Sequence, residues 1–171
     1  EDGKLDLAAT YKANPGTGPR HLVFHPNGKF AYLVGELTSE IVVLAYNAAE
    51  GSFKTVQTVS SIPDTHTTFN SGSAVRVTED GRFLYSSNRG HNSIAVYAIN
   101  AYGDSIERIQ LIASEGDTPR DFALDPTEQF LVVGHQSSDK LTLFERNAET
   151  GLLSLLQKDV YAPECVCVTF E

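Results

Sequence analysis

The chain has 171 residues, with 13 Lys and Arg against 22 Asp and Glu, so its formal net charge is −9. That length suits one domain, and 41% hydrophobic with 20% charged residues is typical of a globular chain rather than a disordered or collagen-like one. No apolar run approaches the ~20 residues of a membrane helix, no signal peptide is expected, and an acidic chain without a basic block disfavours nucleic acid and membranes as partners.

The first predicted element is a single strand, Gly3–Tyr11, which resembles the outermost strand of a preceding unit. Four short strands rich in Val, Leu, Ile, Phe and Tyr follow it, at about His21–His25, Phe30–Gly35, Glu40–Tyr46 and Phe53–Val59. The turn between the first two contains Asn27-Gly28, a pair that favours the positive φ of a tight hairpin turn. Because no stretch shows a sustained helical period, the sequence predicts an all-β chain.

This four-strand unit occurs three times. A shift of 53 positions aligns Pro19–Gly51 with Gly72–Asp104 without gaps, and eight aligned pairs are identical, Tyr32 with Tyr85 among them. A further shift of 47 reaches a third copy. The second copy has Asp80-Gly81 at its first turn, whereas the third has Thr127-Glu128 there, so we expect the third turn to differ in detail.

Four antiparallel strands that recur every 40–50 residues are typical of the blades of a β-propeller. We predict a single domain, 1–171, with three complete four-stranded blades at about 19–63, 72–116 and 119–162 and partial blades at both ends. The longer first spacing places an insertion at Pro63–Gly72, and the segment 163–170 is predicted to be the leading strand of a further blade. Three blades cannot close a ring, and an open arc leaves apolar faces in water. We therefore expect a fragment of a larger propeller, completed by the remaining blades of a parent chain or by self-association.

The two cysteines, Cys165 and Cys167, point to the same face of a strand, where a disulfide between them is strained. Two cysteines are also too few for a structural zinc site unless histidines join them. We predict buried free thiols in a reducing compartment, which favours a cytoplasmic location.

The alternating strand directions place most of the chemically active side chains on one face of the predicted propeller, which we call the top. This face receives the start of each innermost strand, the loop between the second and third strands, and the connection to the next blade. Three arginines gathered with histidines in an acidic chain predict an anion-binding pocket. The top-face residues are Arg20, His21, Glu36, Asn88, Arg89, His91, Arg120, Asp121, His135 and Gln136.

Hairpin register places Arg20 opposite Glu36, because a turn centred near Gly28 pairs residues whose numbers sum to about 56, within one. Two interpretations are open. The pair is either a cross-strand ion pair, contributing under ~1 kcal/mol if exposed, or part of a functional site. Arg89, the counterpart of Glu36 in the next unit, favours the functional interpretation, since packing does not require opposite charges on neighbouring blades.

Among the other histidines, His25 is predicted to be structural in a turn on the opposite face, and His66 to be a solvated residue of the insertion. His91 and His135 are candidates for ligand contact. The chain has no G-x-S-x-G, H-E-x-x-H or P-loop motif, which disfavours serine hydrolases, zincins and nucleotide triphosphatases. No metal-binding constellation is evident, so we predict no metal and no cofactor.

Four segments carry a resemblance to a known family: Gly18–Asn27, Tyr32–Leu37, Asp80–Tyr85 and Asn88-Arg89. They resemble the C-terminal half of the seven-bladed propeller lactonases, a family that includes bacterial 6-phosphogluconolactonases and, more distantly, fungal 3-carboxy-cis,cis-muconate lactonizing enzymes. The order of the motifs is kept over nearly the whole chain. The resemblance implies a ring of seven blades, about twice this length.

The resemblance implies that Arg20, Glu36 and Arg89 are catalytic. A further histidine proposed in the family lies on a preceding blade that this chain lacks, which argues against catalysis by this chain alone. The implied activity is hydrolysis of an anionic sugar lactone, such as 6-phosphogluconolactone, to the open-chain acid in the pentose phosphate pathway. We expect the substrate to be bound by His21, Asn88, His91, Arg120 and Gln136.

The residue types suit this chemistry, since arginines bind an anionic substituent and stabilise a developing oxyanion. Glu36 acts as a general base if burial raises its pKa, or remains ionised if the arginines lower it, and both outcomes are open. Two other functions are also open: a muconate-type cycloisomerase, distinguished by substrate assay, and a non-catalytic propeller that binds a sugar acid or a protein. The enzyme requires its three catalytic residues to share one ligand-sized space.

Overall fold

The computed structural model describes residues 3–170, so residues 1, 2 and 171 of the predicted domain lie outside it. Within that range the regular elements are all β-strands, as predicted, and none is a helix that could cross a bilayer. The strands are β1 (Pro19–Phe24), β2 (Phe30–Gly35), β3 (Glu40–Asn47), β4 (Ser52–Ser60), β5 (Ser71–Val77), β6 (Phe83–Arg89), β7 (Ser93–Ile99), β8 (Ile106–Ala113), β9 (Pro119–Leu124), β10 (Phe130–His135), β11 (Lys140–Arg146) and β12 (Leu153–Tyr161).

The strands form three antiparallel sheets of four, β1–β4, β5–β8 and β9–β12, each with its strands in chain order. The first strand of each sheet packs against the first strand of the next, β1 against β5 and β5 against β9. Sheets that meet along their first strands in this way are blades arranged around an axis. The predicted all-β propeller with three complete four-stranded blades is therefore confirmed.

Buried side chains fill the two spaces between adjacent blades. Because side chains alternate between the faces of a strand, each sheet supplies one face to each neighbour. Tyr32 and Tyr85 lie at equivalent positions in these two cores, and each donates its hydroxyl to a backbone carbonyl, that of Gly103 at 3.0 Å and that of Gly151 at 2.8 Å. A large aromatic side chain is thus buried in both cores with its polar atom satisfied.

The two end segments do not pair with a sheet in the described part of the chain. Neither Gly3–Tyr11 nor 163–170 has a ladder partner, so neither predicted strand is formed as an element. The segment 163–170 nevertheless lies beside the third blade, because Val168 donates its backbone N–H to Asp121 at 3.0 Å. The segment 163–170 therefore lies beside β9, the innermost strand of the third blade, just as β5 lies beside β1, the innermost strand of the first.

The third hairpin turn has the same left-handed residue as the other two. Gly28 and Gly81 have φ of 68° and 72°, as predicted, and Glu128 has φ of 54° at the equivalent position. The expected difference in this turn is therefore wrong. The Glu128 carboxylate accepts a hydrogen bond from the backbone N–H of Glu79 at 2.8 Å and lies 3.5 Å from Arg146, contacts that offset the strain of a left-handed non-glycine residue.

Both cysteines are free thiols, as predicted, but they are less buried than expected. Cys165 is half-buried and Cys167 is exposed. The expectation of burial is wrong for Cys167, because the described part of the chain covers the segment 163–170 on one side only.

Candidate active site

Arg20, Glu36 and Arg89 meet at the top end of the innermost strands, and we call these three residues the axial cluster. Arg20 lies at the start of β1, Glu36 directly follows β2, and Arg89 ends β6. The Nε atom of Arg20 lies 4.0 Å from Oε1 of Glu36, and Nη2 of Arg89 donates a hydrogen bond to the same oxygen. Glu36 thus lies within contact distance of both arginines.

The predicted register is close to the observed one. Along most of the β1–β2 ladder the partner numbers sum to 55, as in Leu22 with Leu33, which is within the predicted range. An irregularity between Pro19 and Leu22 brings Pro19 opposite Gly35. The numbers of this pair sum to two less than the central predicted value of about 56. Arg20 lies in this irregular stretch, and its side chain still reaches Glu36.

The start of β5 joins the two halves of the axial cluster. The backbone N–H of Gly72 donates to the carbonyl of Glu36 at 3.0 Å, and the Gly72 carbonyl accepts a hydrogen bond from Arg89 at 3.1 Å. A Cβ at residue 72 would lie 2.9 Å from the carbonyl oxygen of Gly35, so the first two blades approach this closely only with glycine here.

Ser71 completes the same junction. Its hydroxyl oxygen accepts a hydrogen bond from Arg89 at 2.7 Å and lies 3.4 Å from Oε1 of Glu36. Sequence analysis missed Ser71 and Gly72 as site residues. The available signal was their position at the end of the insertion, where two small residues begin an innermost strand.

The arginines keep Glu36 ionised. The hydrogen bond from Arg89 lowers the pKa of Glu36, burial acts in the opposite direction, and the charges of Arg89 and Arg20 lower the pKa further. The net shift is downward, which decides between the two outcomes left open by the sequence. The Glu36 side chain is 36% exposed, against 16% for Arg20 and 13% for Arg89, so the carboxylate faces the open mouth and the guanidinium groups flank it.

His21 is next to the axial cluster, as predicted. Nη1 of Arg20 lies 3.2 Å from Nε2 of the His21 ring. Burial lowers the pKa of His21, and the positive charge of Arg20 lowers it further, so its imidazole is neutral at neutral pH. At neutral pH the site therefore combines an ionised acid with a neutral imidazole.

Arg120 and Gln136 occupy the corresponding position on the third blade. Nη1 of Arg120 donates a hydrogen bond to Oε1 of Gln136 at 3.1 Å. The charge of Arg120 is among the causes that lower the pKa of Arg20, after burial and the charge of Arg89. Arg120 lies at the start of β9 and Gln136 directly follows β10, so both lie at the same end of their blade as the axial cluster does of the first two.

Asn88 is not brought to that surface. Its side chain is fully buried, and its amide donates to the carbonyl of Ser61 at 3.0 Å and to the hydroxyl of Ser93 at 3.2 Å. Its carboxamide oxygen accepts a hydrogen bond from the Ser61 hydroxyl at 2.6 Å. Asn88 therefore supports the loops beneath Arg89 rather than offering a polar group to a ligand.

His91 and His66 form a pair beside the insertion. Their rings meet edge to face at 4.8 Å, and Nδ1 of His91 lies 2.8 Å from the hydroxyl oxygen of Ser93. His66, predicted to be a solvated residue of the insertion, is half-buried in this contact, and its polar contacts with Thr68 and Phe69 are exposed. His91 also lines a separate cavity of about 490 Å³ with Asp117 and Lys140 of the third blade.

The remaining two histidines are structural. His135, a candidate for ligand contact, is fully buried, with Nε2 3.0 Å from the hydroxyl oxygen of Thr142. Burial lowers the pKa of His135 to about 4, so it is a neutral core residue and that candidacy is withdrawn. His25, predicted to be structural, is buried with Nε2 3.1 Å from the carbonyl oxygen of Gly81.

The charges at the mouth determine what it can bind. Paired guanidinium groups suit a carboxylate, a phosphate or a developing oxyanion, and an ionised carboxylate beside them suits an ordered water molecule or a hydroxyl group. Among residues 3–170, His, Cys, Asp and Glu side chains form no group of three or more that would hold a metal ion.

The fold and the site together define a β-propeller with a polar site at the axial mouth of its blades. The sequence profile of the family described as "Lactonase, 7-bladed beta-propeller" matches residues 1–170. The chain therefore belongs to this family of seven-bladed propeller lactonases, as the sequence motifs indicated.

Relatives with known names or structures agree with this assignment. The chain is 47% identical over 170 residues to the 6-phosphogluconolactonase of Bacillus subtilis (strain 168), a match that covers 99% of this chain and 49% of that protein. A crystal structure of a protein from Lactobacillus plantarum superposes with a TM-score of 0.95 at 48% identity, over 96% of this chain and 48% of that one.

A third relative is the periplasmic gluconolactonase of Pseudomonas aeruginosa. It superposes with a TM-score of 0.85 at 33% identity, over 90% of this chain and 42% of that one. The chain spans about half the length of the curated relatives it matches.

Proposed function

We propose that these blades belong to a lactonase that hydrolyses an anionic sugar lactone, such as 6-phosphogluconolactone, to the open-chain acid. The observation that carries this proposal is the axial cluster, in which one ionised carboxylate is held between two arginines of adjacent blades. The names of the relatives from Bacillus subtilis and Pseudomonas aeruginosa support a lactone as the substrate. The reaction with 6-phosphogluconolactone is a step of the pentose phosphate pathway.

The chemistry assigned to the axial cluster follows from its charges. Hydrolysis begins when a water oxygen attacks the lactone carbonyl, which places negative charge on the carbonyl oxygen. Guanidinium N–H groups of Arg20 and Arg89 stabilise that charge, and their partly buried positions strengthen the interaction. Because its pKa is lowered, Glu36 is a weak base, and we assign it to orienting the attacking water.

The direct test replaces the arginines in the complete protein that contains these blades. We expect Arg20→Ala and Arg89→Ala each to lower kcat/KM for 6-phosphogluconolactone by about 100- to 1,000-fold, the usual loss for an oxyanion-stabilising group. The matched control is Arg82→Ala, which removes an exposed arginine bonded to Asp80 in the turn between β5 and β6. Circular dichroism establishes that each variant is folded. Unchanged hydrolysis by both axial variants would overturn the assignment.

Two further features of the complete protein are part of the proposal. We propose that the remaining blades cover the open faces of the first and third blades, supplied either by the parent chain or by self-association. The free thiols of Cys165 and Cys167 support a reducing compartment, the cytoplasm. Subcellular fractionation tests the location, since recovery of the protein in an oxidising compartment would exclude it.

A further inference from the structure

The three blades carry different residues at two matched positions of the axial mouth. The residue at the end of the second strand, or directly after it, is Glu36 in the first blade, Arg89 in the second and Gln136 in the third. The matched residue of the innermost strand is Arg20, then Ser73, then Arg120. The first two blades therefore contribute two arginines and one acid, whereas the third contributes an arginine and a neutral amide.

Arg120 differs from the other arginines of the mouth in its partners. Arg89 is occupied by Glu36, by the Ser71 hydroxyl and by the Gly72 carbonyl. Arg76 is paired with Asp121 at 2.9 Å. Between residues 3 and 170, Arg120 has no carboxylate partner, and its side chain makes one hydrogen bond, to Oε1 of Gln136.

That single bond also fixes the orientation of Gln136. Because its Oε1 accepts from Arg120, its amide N–H groups are left as donors. Ser73, the matched residue of the second blade, does not bond the Arg120 side chain, since its hydroxyl donates to the backbone carbonyl of Arg120 at 2.6 Å. At these two matched positions the third blade thus presents N–H donors and one positive charge without a carboxylate partner.

We propose that Arg120 and Gln136 form a subsite for the phosphate group of a phosphorylated lactone, separate from the axial cluster where the ring is opened. The inference rests on the proposed lactonase function and adds the residues that select the phosphorylated substrate. A guanidinium fork binds two phosphate oxygens, and a neutral amide adds a donor without repelling the dianion. Proximity to Arg20 increases the positive potential at this subsite.

The test compares a phosphorylated with an unphosphorylated lactone in the complete protein. We measure kcat and KM for 6-phosphogluconolactone and for glucono-δ-lactone in the wild type, Arg120→Met and Gln136→Glu, with Arg82→Ala as the control on the opposite face. Arg120→Met removes the charge. Gln136→Glu keeps Arg120 but gives it a carboxylate partner, as Glu36 is for Arg89.

Both variants are expected to lower the preference for the phosphorylated lactone, expressed as the ratio of the two kcat/KM values, by about 10- to 100-fold, mainly through KM. The control is expected to keep the wild-type ratio. A ratio unchanged in both variants, or an equal loss for both substrates, would overturn the subsite.

A binding measurement separates this inference from the proposed function. Calorimetry with 6-phosphogluconate and with gluconate is expected to show tighter binding of the phosphorylated acid by the wild type and loss of that preference in both variants. A wild type that hydrolyses neither lactone refutes the proposed function, and the subsite then depends on this binding preference. If the wild type binds the two acids equally, the subsite is refuted whatever the activity.

Discussion

Glu36 shows how a single carboxylate responds to competing influences. Burial acts to raise its pKa, but the hydrogen bond from Arg89 is the larger influence, and the charge of Arg20 adds to it. The acid is also the most exposed member of the axial cluster. A side chain in this state contributes charge and hydrogen-bond acceptors to the site while remaining a poor proton acceptor.

The lowered pKa of Glu36 predicts a pH-dependent contribution to stability. A carboxyl group whose pKa is lower in the folded state than in the unfolded state stabilises the fold. This stabilisation is fully present when the pH is above the ordinary pKa of 4.5, and it is lost as the pH falls through the folded-state pKa. We therefore expect the difference in the free energy of unfolding between the wild type and Glu36→Gln to be largest near neutral pH and to shrink below about pH 4.5. Urea denaturation between about pH 3 and pH 7 measures it.

Glu50→Gln serves as the control, because Glu50 is exposed in the turn after β3 and its carboxylate is bonded to Ser52. A wild-type-minus-Glu36→Gln difference that stayed constant, or grew, as the pH was lowered would contradict the structure.

Sequence reasoning succeeded for some residues and failed for others for a clear physical reason. The meeting of Arg20 with Glu36 followed from strand alternation and hairpin register, which are local. The roles of Ser71 and Gly72 depend on how closely the first two blades approach, and the burial of His135 depends on packing within the third blade. Single-strand patterns do not contain that information.

At the scale of the element, the first residues of β5 set the distance between two blades. Gly72 begins the innermost strand of the second blade and lies against β2 of the first, bonding to the backbone of Glu36. A methyl group there would meet Cγ1 of Val34 at 2.8 Å and the carbonyl oxygen of Gly35 at 2.9 Å. The backbone oxygen cannot move aside without moving β2.

Gly72→Ala is therefore expected to destabilise the protein by about 1–3 kcal/mol and to lower kcat/KM for the lactone, because it displaces the strand that joins Glu36 to Arg89. Gly28→Ala is the matched control. It strains a left-handed turn, at a cost of about 1–2 kcal/mol, but lies at the opposite end of the blade from the cluster. Thermal unfolding and lactone kinetics measure both effects. Equal losses of kcat/KM in the two variants would show that destabilisation alone accounts for the change.

The strands themselves were predictable because the repeat gives each element three independent instances. The predicted β2 has the observed bounds, and the predicted β3 and β4 are each within one residue of theirs. β1 begins two residues earlier than expected, at the irregularity near Pro19. The turn at Glu128 was mispredicted because the prediction relied on glycine as the sign of a left-handed residue, and the third turn has no glycine at this position. Contacts with Glu79 and Arg146 hold Glu128 in the left-handed conformation instead.

At the scale of the whole molecule, the two outer faces of the three-blade arc are apolar. Phe24, Tyr46 and Phe53 form an aromatic group on the first blade, with ring centroids 5.1 Å apart for Phe24–Tyr46 and 4.9 Å for Tyr46–Phe53. At the other end, Val160 and Val166 are 37% and 49% exposed. Faces of this kind favour association in water.

We therefore expect the 171-residue chain alone to self-associate, with a mass by light scattering greater than that of one chain and rising with concentration. Phe24→Lys is expected to reduce the association by placing a charge in the aromatic group. Leu37→Lys is the control, since Leu37 is 71% exposed in the loop after β2 and lies outside that group. A chain that remained monomeric at high concentration would contradict this expectation.

The number of blades and their order were predictable from the repeat length, which is a property of the whole chain. The sequence of a single blade does not show how the ring is completed, because all three blades have the same order of strands. That is why the sequence left two routes to a ring open.

The equivalence of Glu36 and Arg89 has a consequence for how such a site originates. If the repeats descend from one duplicated unit, an ancestor built from identical copies carried a single residue type at this position in every copy. Like charges would then have faced one another around the axis, and no pairing of acid with base was available. The ion pair across the blade boundary therefore dates from after the copies diverged, so this pair is younger than the scaffold that holds it.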